Sequence, residues 1–100
     1  MTDEESVLDA VIVVVPLSDP DLGSVDDYTA ISALEERLIE AVADAEVGEF
    51  DGHEFGNGEC RIMFYGASVE QLESVVIPIV KASSSCPNAY VTRIQNSDPV

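Results

Sequence analysis

Four strand-like segments alternating with two helix-like ones predict an α+β two-layer sandwich, with both helices on one face of a four-stranded antiparallel sheet. Three observations carry this. A valine-rich run, Val7 to Val15, precedes a segment with apolar residues at helical spacing. A hairpin signature spans Phe50 to Gly66, its two strand-like runs separated by Gly56-Asn57-Gly58. A second helix-like stripe and a last strand-like run follow.

Val7 to Val15 is β-branched and apolar on both parities: Leu8, Ala10, Ile12 and Val14 against Val11, Val13 and Val15. Such a strand belongs in the centre of a sheet, covered on both faces. Pro16 ends it. Ser18-Asp19-Pro20-Asp21-Leu22-Gly23 is a loop by its turn residues. Ser24 is placed to cap a helix, with Asp27 at the third helical position near the positive end of the dipole. Ile31, Leu34, Leu38, Val42 and Ala45 form its core stripe, and Gly48 is the expected stop. The other face carries Glu35, Glu36, Glu40 and Asp44. Like charges one turn apart cost about 0.2–0.5 kcal/mol each, so helix stability alone does not account for them.

In the hairpin, Gly56-Asn57-Gly58 accepts the positive φ that a tight connection requires. After it, Cys60, Ile62 and Phe64 share the uncharged, core-facing parity, opposite Glu59, Arg61, Met63 and Tyr65. Before it, Phe50, Gly52 and Glu54 alternate with Asp51, His53 and Phe55, a mixed pattern suited to a sheet edge or a bulge. Arg61 is within reach of Asp51 or Glu54 across the turn. Ser68-x-x-Gln71 is a capping box for the second helix. Its stripe is Val69, Leu72, Val75 or Val76, and Ile79 or Val80; Pro78 should bend it, with continuation to about Ala82. Ser83 to Asn88 is a loop and Ala89 to Gln95 the fourth strand. With right-handed crossovers this order is the split βαβ, or ferredoxin-like, arrangement, the first and third strands forming the central pair.

The 100 residues make one domain, 1–100, with flexible ends expected at 1–6 and 96–100. Twenty carboxylates face four cations, Arg37, Arg61, Lys81 and Arg93, for a formal charge of −16. That charge repels phosphate backbones and anionic headgroups, which disfavours nucleic acid and membrane surfaces. No apolar run approaches the ~20 residues of a membrane span. The acidic start lacks a signal peptide's cationic end, and Cys60 and Cys86 have no bridge or metal-knuckle spacing, so a cytoplasmic location is expected. For the acidity three readings are open: adaptation to high salt, steering toward a basic protein, and cation binding.

Two surfaces and one cluster are candidates for function. If both helices cover one face, the first strand must place Val11, Val13 and Val15, or their alternates, on the bare face beside Met63 and Tyr65, a patch suited to homodimerisation. The acidic face of the first helix, Glu35, Glu36, Glu40 and Asp44, suits a basic protein partner. Asp51, His53, Glu54 and Glu59 surround the hairpin turn and supply ligand types for a divalent cation or a small molecule, though in no EF-hand order. No phosphate-binding glycine loop and no nucleophile elbow is present, and neither cysteine has an identifiable histidine partner, so enzymatic chemistry is disfavoured. No cofactor is implied.

The segment Val47-Gly48-Glu49-Phe50-Asp51-Gly52-His53-Glu54-Phe55-Gly56-Asn57-Gly58-Glu59-Cys60, followed by Met63-Phe64-Tyr65-Gly66, resembles a group of small uncharacterised bacterial proteins sharing an Asp-Gly-x-Glu, a Gly-x-Gly-Glu and an aromatic-Tyr-Gly. Val11 to Leu17 and Pro78 are similar too. The resemblance implies a ferredoxin-like domain and no assigned activity. At fold level the acidic helical face is similar to that of the small bacterial protein inhibitors of the RNA-degrading endonuclease E. The stacking aromatics of RNA-recognition modules and the arginine loop of acylphosphatases are absent. The expectation is a non-enzymatic acidic interaction domain, dimeric through its open sheet face.

Overall fold

The computed structural model describes residues 9–17 and 25–94. The elements are β1 (Asp9–Pro16), α1 (Val25–Ala45), β2 (Glu49–Gly56), β3 (Glu59–Gly66), α2 (Val69–Ala82) and β4 (Tyr90–Ile94). The strands form one antiparallel sheet in the order β2-β3-β1-β4, so β1 and β3 are central and β2 and β4 are edges. Both helices lie on one face: this is the ferredoxin-like sandwich expected from the element order. The expected frayed ends, the loop from Ser18 to Gly23, the Ser24 cap and the strand's extension to Gln95 lie outside the described residues.

The core forms where the uncharged parity of β3 meets β1. Val11 pairs with Phe64, Val13 with Ile62 and Val15 with Cys60, and all six are buried. Ile31, Leu34, Leu38 and Val42 of α1 and Val69, Leu72, Val76 and Val80 of α2 close over them. Each such aliphatic contributes about 1.5–3 kcal/mol by leaving water. This corrects the expected placement of Val11, Val13 and Val15 on the bare face. They lie beneath the helices because their ladder partners are the apolar side of β3. The alternates, Ala10, Ile12 and Val14, pair with Tyr65, Met63 and Arg61 on the far face.

The hairpin turn places Asn57 at φ 55° and Gly58 at φ 80°, the left-handed pair that matches the twist of two short-looped strands. On β2 the register slips between Phe50 and Gly52, a bulge with Gly52 at φ 128°. The bulge changes the expected alternation. Phe50 and His53 now share the helix side with Phe55, opposite Phe64, Ile62 and Cys60 in turn, while Glu49, Gly52 and Glu54 face away.

The end of α1 differs from expectation. Glu46, at φ 58°, takes the left-handed position after the helix. Its amide bonds to the carbonyl of Ala43, and that of Val47 reaches Val42, the two closing bonds of a Schellman cap. Gly48 has another task. A Cβ there would collide with the Tyr65 carbonyl and come within 2.8 Å of Leu72 Cδ2, and one on Gly66 would strike the Val47 carbonyl. The two glycines let the starts of β2 and α2 close over the end of β3. In α2, Ser68 Oγ accepts from the Gln71 amide at 3.2 Å, as the capping sequence predicts, and the helix runs through an exposed Pro78 to Ala82.

A non-glycine residue in the left-handed region costs roughly 1–2 kcal/mol, against roughly 0.5–1 kcal/mol of extra chain entropy for glycine. Glu46→Gly is therefore expected to raise stability by about 0.5–1 kcal/mol in urea unfolding. Gly48→Ala is expected to lower it by about 1–3 kcal/mol in the same measurement.

Candidate functional site

The face of the sheet away from the helices divides into two halves. Across β4 and β1 it carries Tyr90, Thr92 and Ile94 beside Val14, Ile12 and Ala10, with Met63 and Tyr65 of β3 continuing the strip. Val14, laddered between Arg61 and Tyr90, is buried; Ala10, Ile12, Met63 and Tyr65 are half-buried; Tyr90 and Ile94 are 52% and 51% exposed. Toward β2 the face turns ionic. Arg61 forks between Glu54, Nη2 to Oε2 at 2.5 Å, and Glu59 at 3.0 Å, realising one of the two pairings the hairpin offered. Both carboxylates raise the Arg61 pKa, the Glu54 hydrogen bond most. The Tyr65 hydroxyl donates to Glu49 at 3.2 Å, and this bond, ahead of the charges of Glu49 and Asp51, raises the phenol's pKa.

On α1 the predicted acidic face splits. Glu36, Glu40 and Asp44 stand exposed in one stripe at four-residue steps. Glu35 turns toward β2 instead, its side chain 15% exposed, with Oε2 2.5 Å from His53 Nδ1. The bulge makes this contact by bringing His53 round to the helix side. Phe55 packs edge-on against both His53 and Tyr28, with ring centroids at 5.5 and 5.2 Å, tying β2 to the first turns of α1. Glu35 is thus a structural partner of His53, and the ridge consists of Glu36, Glu40 and Asp44. Sequence reasoning missed the pair because it spans 18 residues and depends on the bulge.

The cation cluster is not assembled. His53 is on the helix side with Glu35, while Glu54 and Glu59 are on the opposite face, engaged by Arg61; Asp51 is the bulged residue. Among the described residues no three His, Cys, Asp or Glu side chains are gathered closely enough to hold a metal ion. The alternation of β2 would have put two of these groups together only without the bulge.

Cys60 is fully buried in the core and Cys86 is 5% exposed. Burial, with Glu35 acting in the same sense, pushes the Cys60 thiol up to about 11. Burial also raises Cys86, against a lowering hydrogen bond from Ser83. Cys86 borders a cavity of about 230 Å³ at the end of the sheet, lined also by Val15, Leu17, Asp27, Ala30 and Ile31. Neither thiol has the thiolate character of a nucleophile.

No family model and no curated protein matches the chain. Among solved structures, that of Rv0793 from Mycobacterium tuberculosis superposes with a TM-score of 0.58 at 16% identity, over 93% of this chain and 98% of that one. This likeness supports the fold and extends no further. The crystal structure of PH0061 aligns with all of this chain and 60% of that one, with a TM-score of 0.41 and 14% identity. No helix among the described residues is long and apolar enough to cross a membrane.

The thiols make two measurable predictions. At about pH 8, Ellman's reagent should leave the native protein unmodified and titrate both cysteines once it is unfolded. The folded chain also holds the Cys60 proton more tightly than the unfolded one, so its stabilising contribution is complete below the ordinary 9.0 and is lost as pH rises toward about 11. Urea midpoints measured across that window should fall, and Cys60→Ala should flatten the decline.

Proposed function

We propose that this chain is a non-enzymatic, cytosolic interaction domain that self-associates through its open sheet face and presents an acidic helix to a basic protein. The observation that carries the reading is the apolar half of the open face. Tyr90, Ile94, Ile12, Met63 and Tyr65 form a contiguous strip on a molecule of strongly acidic composition. A strip of this kind, uncovered by any of the described residues, is a typical association surface. The ridge of Glu36, Glu40 and Asp44 supports the second half of the proposal. Its repeated like charge weakens an isolated helix and would be relieved by a cationic partner. The free, buried cysteines fit a reducing compartment.

Light scattering should give at least twice the monomer mass at micromolar concentration, and Met63→Glu should halve it with its circular dichroism intact. A wild-type monomer would overturn the self-association. For the ridge, proteins captured at low salt should be released at on the order of 0.5 M salt, where charges are screened beyond a few ångströms. They should also be lost when Glu36, Glu40 and Asp44 are replaced together by their amides. Retention through both would remove the electrostatic partner. Stability that climbs steadily with salt, with no partner captured, would instead favour salt adaptation.

A further inference from the structure

The two edges of the sheet are unlike. β2 is interrupted by a bulge and carries Glu49, Asp51 and Glu54, the devices that keep an edge from pairing with another chain. β4 has none of them. It is Tyr-Val-Thr-Arg-Ile, regular in register with β1 throughout, without bulge, proline or carboxylate, and among the described residues nothing pairs with its outer side. The chain on either side of it is poor in acid too, Glu73 at Arg93 being the nearest carboxylate before it in sequence. No Asp or Glu occurs between Glu73 and Asp98, a segment that holds Lys81 and Arg93. The rear half of α2 packs beside β4, and a groove of about 270 Å³ lined by Ile77, Val80, Lys81, Ala89, Tyr90 and Val91 runs between them.

We propose that β4 pairs antiparallel with β4 of a second copy of this chain, about a two-fold axis at Thr92, joining two sheets into one of eight strands. Charge selects the occupant. Two copies each carrying −16 repel wherever their acidic sides meet, and β4 is an edge strand that brings no carboxylate of its own to the contact. The strand is also complementary to itself in that register. Thr92 meets Thr92, each Tyr90 meets Ile94, and each Arg93 meets Val91, so no like charges stand opposite. Arg93 is already neutralised by Glu73, Nε to Oε2 at 3.1 Å. Threonine–threonine and aromatic–β-branched pairs are among the favourable cross-strand combinations. The half-exposed Tyr90 and Ile94 would each cover the other, and helix-side groups would lie along the groove. The edge axis stands perpendicular to the sheet and a face-to-face axis lies in its plane. The two contacts are therefore compatible, and together they close four copies with the apolar strips at the centre.

Cysteine pairing tests the register. With the native thiols buried, Thr92→Cys should convert most of the protein to a disulfide-linked dimer under mild oxidation. Tyr90→Cys alone should not, because its two copies would lie roughly 14 Å apart along the ladder. Mixing Tyr90→Cys with Ile94→Cys should give the linked heterodimer. Linkage of Thr92→Cys no greater than that of Tyr90→Cys, or no heterodimer on mixing, would overturn the proposal. Adding Met63→Glu, which breaks the face contact, should leave the Thr92→Cys linkage in place. Its loss there would show that the edge does not pair independently.

Discussion

The pairing of β1 with β3 is the constraint on which the rest of the molecule depends. β1 is apolar on both sides, so its own hydrophobicity does not decide which valines go inward. β3 decides it, because one of its parities is charged. With Cys60, Ile62 and Phe64 committed to the core, the ladder draws Val11, Val13 and Val15 after them. A slip of one residue would put Arg61 beneath the helices and Phe64 in water, at a cost no repacking could recover. The same register leaves Ile12 and Val14 on the far face and thereby creates the open strip.

A second, local constraint shapes the acidic edge. The bulge after Phe50 rotates the remainder of β2, turning His53 and Phe55 toward α1 and Glu54 toward Arg61. One inserted residue thus does three things: it ties the edge strand to the helix through Glu35 and His53, it disperses the carboxylates around the turn, and it spoils the edge as a template. Two of the sheet's polar side-chain contacts, His53–Glu35 and Arg61–Glu54, follow from that single irregularity.

Much of this architecture was legible in the sequence. Valine-rich β1, the Asn57-Gly58 turn, the Ser68 cap and the 3.6-residue stripes are local signals, and each produced its element with ends close to those expected. What was illegible depends on relations between segments. The side of β1 that faces the helices is set by a partner some fifty residues away in the chain, although the charge on β3's other parity held the clue. Glu35 reads as part of an acidic face until the bulge supplies His53. Gly48 reads as a helix stop because glycine usually is one; its need to pass beneath Tyr65 and Leu72 exists only after folding, and Glu46 bears the strained turn instead. The acidic ridge survives with three of its four residues because exposure of Glu36, Glu40 and Asp44 follows from helix period alone.

The distribution of charge completes the picture. Nineteen of the twenty carboxylates precede residue 74 in the chain. The strand order translates that linear bias into a spatial one, because β2 and β4 are opposite edges of the sheet, with α1 packed near the first and α2 near the second. A uniformly acidic globule would resist association in every orientation. This one concentrates its repulsion at the α1–β2 side and leaves the α2–β4 side nearly neutral, so the electrostatic energy of two approaching copies depends steeply on which sides they turn toward each other. The orientation of least repulsion also brings together the regular edge and the exposed Tyr90 and Ile94. Net charge here sets direction: the acidic helix lies on the repelling side, and the apolar strip reaches the side where repulsion between like copies is least.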